Sequence, residues 1–368
     1  MQIGKGLERA WRSFWIRAVA RLVGRTRPAA GPPEWGAAPR RVLFLRPDRI
    51  GDMILSTGLI RAIAESHPTI VLDVLAAPGN ARVLREDRHV HEVVLFERSK
   101  PWTIPGLVRT LRRARYDAVI DPMPTAASLT TLLFMLASGA RHRVGVSGRG
   151  IDDALTVPVP PRAGAQHLAE HLSALAAAFG LDPASPALRP RLTLADDERA
   201  RADARWRAAG AGPGRRRLLV NVSAGKPRRR WPDGNFAEVL RRLHEAHSER
   251  LTTLVIGGPA EGESVARIAR LGGAAGGETP GLRDAFALVA TADLVLTPDT
   301  SLSHAASAFR VPAVVLFNPG YAGTWGLYHS PGRELSSPRH ELSSLPPNPV
   351  LEAVEEMLNE GRGTGDGG

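Results

Sequence analysis

Reactive side chains gather in this sequence at places where an apolar, strand-like run gives way to a helical one. In residues 41–67, Val42, Leu43, Phe44 and Leu45 form a run of strand length. Pro47, Asp48 and Gly51 interrupt it, and apolar residues then return at helical spacing at Met53, Leu55, Leu59, Ile60 and Ile63. Asp52 therefore stands at the mouth of a helix, at the carboxyl edge of a strand, where open parallel sheets bind their ligands. Two readings stay open on these residues: a helix cap that accepts backbone N–H bonds, or a reactive carboxylate. A helix mouth lowers a carboxylate's pKa, so as a base Asp52 is expected to be ionised, weak, and effective through its position.

A second junction runs from Val222 to Pro232, between a strand and a helix. Ser223 and Gly225 leave room for an anion, and Lys226, Arg228, Arg229 and Arg230 follow within five positions. Small residues and guanidinium forks together suit a diphosphate. The G-x-x-x-x-G-K-[ST] spacing of a Walker loop is missing. The third junction is Thr297-Pro298-Asp299-Thr300-Ser301-Leu302-Ser303-His304. Thr300 and Ser301 open a helix whose N–H groups face any bound anion. Asp299 can accept bonds from sugar hydroxyls, and His304 lies four residues beyond Thr300 on the same helical face. The competing reading is an Asp/Thr cap above a buried histidine.

Metal chemistry is not expected. No two aspartates stand two apart, and the pairs His89/His91 and His167/His171 lack the companions of a zinc motif. The absence of G-x-S-x-G and of G-x-G-x-x-G after a strand weakens hydrolase and dehydrogenase readings.

The elements that must position these residues alternate. Strands are expected at 70–75, 91–96, 116–121 and 143–146, with helices at 105–115, 126–138 and 166–179. After a proline-rich hinge at 181–194 the pattern starts again. Strands are expected at 217–222, 251–256, 293–296 and 311–317, and helices at 195–209, 232–247, 262–271, 283–290 and 300–309. Alternation of this kind gives an α/β fold with parallel sheets covered on both faces. Residues 40–180 and 195–346 are the two Rossmann-like domains expected, facing one another across a cleft, with 330–346 read as loop. Residues 347–368 hold a final helix and a glycine-rich tail expected to be disordered.

At 368 residues the chain suits two cores. It has no cysteine, which removes disulfides and thiolate metal sites and is consistent with a reducing compartment. A net charge of +11 favours anionic partners, while 5% aromatic content makes nucleic acid the weakest of them. Residues 1–27 are expected to form an amphipathic helix. Leu7, Trp11, Phe14, Trp15, Ala18, Val19 and Leu22 gather on one side, and Lys5, Arg9, Arg12, Arg17, Arg21, Arg25 and Arg27 oppose the single acid Glu8. Such a helix suits a membrane interface, the alternative being a helix docked on the protein's own surface. Residues 28–39, rich in proline, read as a linker.

The stretches RPDRIGDMILSTGLIRAI, YDAVIDPMPTAAS, VSAGKPRRRWPDGNF, VIGGPAEGE and ADLVLTPDTSLSHAASAFRVPAVVLFNP, in this order, resemble the lipopolysaccharide heptosyltransferases, glycosyltransferase family 9. The resemblance spans roughly residues 41 to 318. It implies the GT-B fold and inverting, metal-independent transfer of a heptose from an ADP-activated donor to a lipopolysaccharide core, with no cofactor. By the same resemblance Asp52 matches the catalytic base, and Arg229 the basic residue before Trp-Pro that reaches the donor phosphates. Glu261 matches the acid at the nucleotide ribose, and Asp299, Thr300 and His304 match the segment around the donor sugar and diphosphate. Ser223, Lys226 and Ser301 complete the expected donor set, with Ser301 standing where the family commonly has glycine. Arg49, Arg141 and Arg143 are assigned to the acceptor. The expected location is the cytoplasmic face of the inner membrane, where the basic helix would hold the enzyme beside a lipid-linked glycan. Rival readings are an O-antigen or other glycan transferase of the same fold, a non-catalytic sugar-nucleotide-binding protein, and a nucleic-acid-binding protein.

Overall fold

The computed structural model describes residues 14–18, 20–21, 32–36, 38, 40–279 and 281–360. The chain divides into two compact units between Pro190 and Arg191. Among the described residues, each unit is built on a six-stranded parallel sheet.

In the first unit the strands are β1 (Arg40–Arg46), β2 (Ile70–Ala76), β3 (Glu92–Leu95), β4 (Ala118–Asp121), β5 (His142–Val146) and β6 (Val157–Val159), in the order β3-β2-β1-β4-β5-β6. Helix α1 (Ile50–Ser66) follows β1 and α2 (Pro78–Ala81) follows β2; α3 (Ile104–Arg113) and α4 (Leu129–Ala137) flank β4; and α5 (Leu168–Ser173) follows β6. One face of the sheet, through Leu43, Leu45, Leu75 and Val119, packs on Leu107 and Leu111 of α3 and Leu132 and Met135 of α4. Gly58 lets α1 approach the backbone of Leu188 and Arg189, where a Cβ would overlap both carbonyl oxygens.

The second unit repeats the plan. Strands β7 (Arg216–Asn221), β8 (Leu251–Gly257), β9 (Ala275–Glu278), β10 (Leu294–Pro298), β11 (Ala313–Phe317) and β12 (Gly332–Ser336) are ordered β12-β11-β10-β7-β8-β9. Helices α6 (Asp196–Ala208), α7 (Asp233–His247), α8 (Gly262–Gly272), α9 (Leu282–Ala290), α10 (Ser301–Phe309), α11 (Ala322–Trp325) and α12 (Pro347–Glu360) surround it. Both sheets thus have the doubly wound order in which the chain reverses direction beside the first strand. That reversal opens a ligand crevice between β1 and β4, and between β7 and β10.

Three differences from the sequence expectations concern sheet edges and termini. Residues 330–346 contain β12, and β6 and β9 were not expected. All three are edge strands, short and rich in Gly, Pro or charge, so they lack the apolar run that marks a central strand. The linker is partly docked: Trp35 is buried, stacks on Phe179 at 4.4 Å and donates to the Ala178 carbonyl. At the amino terminus, residues 14–18, 20 and 21 are helical. Ile16 and Ala20 are buried in the first unit's core, while Phe14 and Trp15 remain exposed. The helix therefore docks with one face and offers its aromatic face outward. Leu7, Trp11, Val19, Leu22, Lys5, Glu8, Arg9, Arg12, Arg25 and Arg27 lie outside the described residues, as does the tail from 361 to 368.

A buried ion pair ties α6 to α9. The Arg283 guanidinium grips Glu198 with two bonds, at 2.9 and 2.6 Å, and also donates to the Thr193 carbonyl. Removing one partner strands the other charge away from water, which costs about 3–5 kcal/mol. Glu198→Ala is therefore expected to lower the urea midpoint of the second unit sharply. A shift worth under about 1 kcal/mol would mean the pair is solvated in solution.

Candidate active site

Asp52 lies in the first turn of α1 and is 6% exposed. It is not the cap: Arg49 occupies that position and makes no side-chain cap bond. The Asp52 carbonyl is held by Arg46, whose Nε donates to Asp52 O at 3.2 Å and to Ser56 Oγ at 3.0 Å. Arg46 Nη1 reaches Asp48 at 3.2 Å and, across the β1–β4 crevice, the Pro122 carbonyl at 3.3 Å. A buried guanidinium thus fixes the strand–helix turn that presents Asp52. Asn80 strengthens the same turn by donating to the Arg46 carbonyl.

The helix-mouth expectation for Asp52 is corrected. Burial and the neighbouring, hydrogen-bonded Asp48 raise its pKa to about 6, overriding the lowering by Arg46 and Arg49. Desolvation outweighs the helix dipole because so little water reaches the group. The result is a carboxylate basic enough to take a proton near neutral pH.

On the neighbouring strand, Asp121 ends β4 fully buried and pairs with Arg149 at 3.1 Å. Burial raises the pKa of Asp121, and Arg149 opposes that shift. Arg149 stands between Gly148 and Gly150, both at positive φ, in the loop after β5. An arginine flanked by two glycines after a strand is a signal the sequence carries for this position. Arg141 and Arg143 do not join this cluster. They lie at the amino end of β5, which pairs with β4 level with the middle of β1 or earlier, so they occupy the opposite edge from Asp52. The Arg143 Nε is committed to the Ala154 carbonyl. Arg49 does share the edge with Asp52.

In the second unit the corresponding crevice is cross-braced. Asn221, at the end of β7, donates to Thr297 Oγ1 at 2.9 Å and Thr300 Oγ1 at 3.2 Å, and accepts from the Ser223 amide at 3.1 Å. Thr300 caps α10 through the Leu302 amide. Arg229 pairs with Asp299 at 2.8 Å and lies 5.0 Å from the centre of the Tyr321 ring. Ser223 Oγ accepts from the Gly258 amide at 3.1 Å and lies 3.5 Å from Glu261. His304 is buried one turn into α10, its ring 6.4 Å from Trp325. Ser301 is half-buried at the start of α10, and Lys226 is exposed.

Ser223, Arg229, Glu261, Asp299, Thr300, Ser301 and His304 thus gather at one sheet edge. The basic run is more divided than its sequence suggests: Arg230 turns to Asp233 and Ser264, and Arg228 faces Glu341 at 3.9 Å. Trp231 anchors the loop's end, buried against Phe236 and donating to the Leu345 carbonyl. Asn221, Tyr321 and Trp325 were missed, because an asparagine or aromatic in a loop carries no spacing signal.

Among the described residues, one trio of possible metal ligands is close enough to share an ion: Asp73, His91 and Glu92. Asp73 already accepts from Arg41, Tyr116 and His91, which makes the group an ion-pair network. His89 is held by Asp87 and Glu65, and His167 caps α5.

Comparison with known proteins agrees with this fold. The profile of glycosyltransferase family 9 (heptosyltransferase) matches residues 105–346. Lipopolysaccharide heptosyltransferase 2 of Escherichia coli K12 is 26% identical over 314 residues, covering 76% of this chain and 83% of that protein. The fold is similar to that of the glycosyl transferase family 9 protein from Veillonella parvula DSM 2008, with a TM-score of 0.75, 18% identity and coverage of 88% and 99% of the two chains. It is also similar to E. coli ADP-heptose lps heptosyltransferase II, with a TM-score of 0.69, 23% identity and the same coverage. Two doubly wound units of the GT-B class are the fold expected from the sequence. With more than half of its residues inside the family profile, the chain belongs to glycosyltransferase family 9, the heptosyltransferases, and is a glycosyltransferase.

Proposed function

We propose that the enzyme transfers a heptose from an ADP-activated donor to a lipopolysaccharide core or related lipid-linked glycan, by single displacement with inversion and without a metal. The observation that carries this reading is Asp52, a buried carboxylate poised near pH 6 at the crevice of the first sheet. Asp52 takes the acceptor hydroxyl's proton as that oxygen attacks the anomeric carbon; the bond from that carbon to the β-phosphate oxygen breaks, and ADP leaves with its electron pair. Arg229, Lys226 and the amino end of α10 at Thr300 meet the charge that builds on the departing diphosphate. Asp299 and His304 orient the sugar, Ser223 and Glu261 the nucleoside, and Arg49 the anionic acceptor. Ser301 brings a hydroxyl to the phosphates.

The ADP-heptose assignment is supported by the name of the E. coli structure that shares this fold, and the acceptor class by the names of the relatives. No helix among the described residues is long and apolar enough to cross a membrane. The amino-terminal helix, which keeps Phe14 and Trp15 exposed, is the element we assign to peripheral attachment at the cytoplasmic face.

The test is a thermal-shift panel of nucleotide sugars on the purified protein. A ligand that binds only the folded state at 100 times its Kd stabilises by about 2.7 kcal/mol. ADP-heptose is expected to raise the Tm by several degrees, and UDP- and GDP-sugars by less. A larger shift with another nucleotide sugar would replace the donor.

A further inference from the structure

The sheet face covered by α3 and α4 carries an outer surface that the transfer reaction does not use. Trp102, just before α3, is 71% exposed, and Leu133 on α4 is 49% exposed. The inner sides of these elements, Leu107, Leu111, Leu132 and Met135, fill the core, so the outward pair is not needed for packing. The two segments touch: Arg98, four residues before Trp102, donates to the Thr130 hydroxyl at 3.4 Å, one helical turn before Leu133. Segment 98–115 carries Arg98, Lys100, Arg109, Arg112, Arg113 and Arg115, all exposed, and no acid. Glu97, at its margin, is engaged by Lys100 at 2.8 Å. Residues 122–138 hold no charge at all. The amino-terminal helix docks on the same core through Ile16 and Ala20, with Phe14, Trp15, Arg17 and Arg21 exposed.

We infer that the α3–α4 layer is a second membrane-contact surface, in which Trp102 and Leu133 enter the interface of an anionic bilayer and the α3 arginines meet its phosphates. An exposed tryptophan and leucine on a layer whose other exposed charges are arginine and lysine match what that interface rewards: amphipathic aromatic area at headgroup depth and cations at the negative surface. The surface also explains an orientation. Trp102 precedes α3 and follows β3, so it lies toward the carboxyl edge of the first sheet, the edge that presents Asp52. Two contact points, this surface and the helix, fix how that edge meets the lipid, which one helix alone leaves free to swivel. The inference rests on the lipid-linked acceptor proposed above only for its purpose; the binding itself is read without substrate.

The experiment is flotation of the full chain with vesicles of phosphatidylglycerol and phosphatidylethanolamine, and with phosphatidylcholine alone, at 0.1 M salt. The variants are Arg109→Glu/Arg112→Glu/Arg113→Glu and Trp102→Ser/Leu133→Ser, both with the amino-terminal helix intact. The wild type is expected to float with the anionic vesicles and not with the neutral ones. Each variant is expected to lose at least tenfold in partitioning, while its unfolding midpoint and its transfer to a water-soluble acceptor stay unchanged. Wild-type partitioning in either variant would overturn the inference, as would equal binding to neutral vesicles. So would a concentration-dependent dimer, abolished by the variants, in a protein that ignores vesicles. Failure of transfer with normal vesicle binding would instead remove the proposed reaction and leave this surface standing.

Discussion

Asp52→Ala is expected to lower kcat by about 10²–10⁴-fold, the range a positioned general base contributes, while the donor's thermal shift is retained. The two effects separate because Asp52 belongs to the first unit's crevice and the donor groups to the second unit's. Stability should move the other way. Burial raises the folded-state pKa of Asp52 to about 6, above the ordinary carboxylate value, so the ionised group is disfavoured by folding. The penalty is absent below the unfolded pKa, grows as pH rises towards 6 and is fully present above it. Asp52→Asn at pH 7.5 is therefore expected to stabilise the protein by on the order of 1–3 kcal/mol. An inactive but more stable variant is the mark of a group kept for chemistry. Near-normal turnover in Asp52→Ala would remove the assignment.

Arg229→Ala is expected to be the most damaging change on the donor side. The Arg229 guanidinium is pre-set between Asp299 and the Tyr321 ring, so little is spent on ordering it when a diphosphate arrives. Its removal also takes the Arg229 cation away from Asp299, which is 7% exposed, and leaves that carboxylate's charge facing the incoming phosphates. Loss of charge-assisted bonds together with a new repulsion should raise the donor KM and lower kcat, cutting kcat/KM by roughly 10²–10³-fold. Arg229→Lys should recover only part of this, because a point charge cannot hold both the carboxylate and the ring. Measured for each variant, kcat/KM checks both statements; an Arg229→Ala loss below about tenfold would assign the phosphates to another cation.

Residues that follow central strands were legible in the sequence. Val42 to Leu45 and Leu294 to Leu296 are apolar because both faces of a central parallel strand are covered, and Asp52 and Asp299 stand out as the acids at the strand-to-helix junctions that follow. The gathering of Ser223, Glu261, Thr300 and His304 follows from the same alternation, since every strand of a parallel sheet ends at one edge. What the sequence hid depends on contacts between distant segments. Arg46 reads as the polar end of a strand, yet it is the buried brace between Asp48, Ser56 and Pro122. Arg141 and Arg143 read as acceptor cations, but strand direction carries them to the far edge. The basicity of Asp52 was misjudged because a helix mouth is visible in sequence and the loss of solvent is not. In the amino-terminal helix Ile16 and Ala20 dock on the protein's own core while Phe14 and Trp15 stay exposed, a division that depends on packing against distant segments.

The central claim is that a buried aspartate is the base, and the pH dependence of kcat/KM with ADP-heptose and a lipopolysaccharide-core acceptor tests it most directly. That quantity reports the ionisation of groups in the free enzyme and substrates. The expected profile falls below an acid limb near pH 6, about tenfold for each further pH unit, and the residual rate of Asp52→Ala is flat over the same range. A wild-type profile level down to pH 5, or an acid limb that survives unchanged in Asp52→Ala, would contradict it.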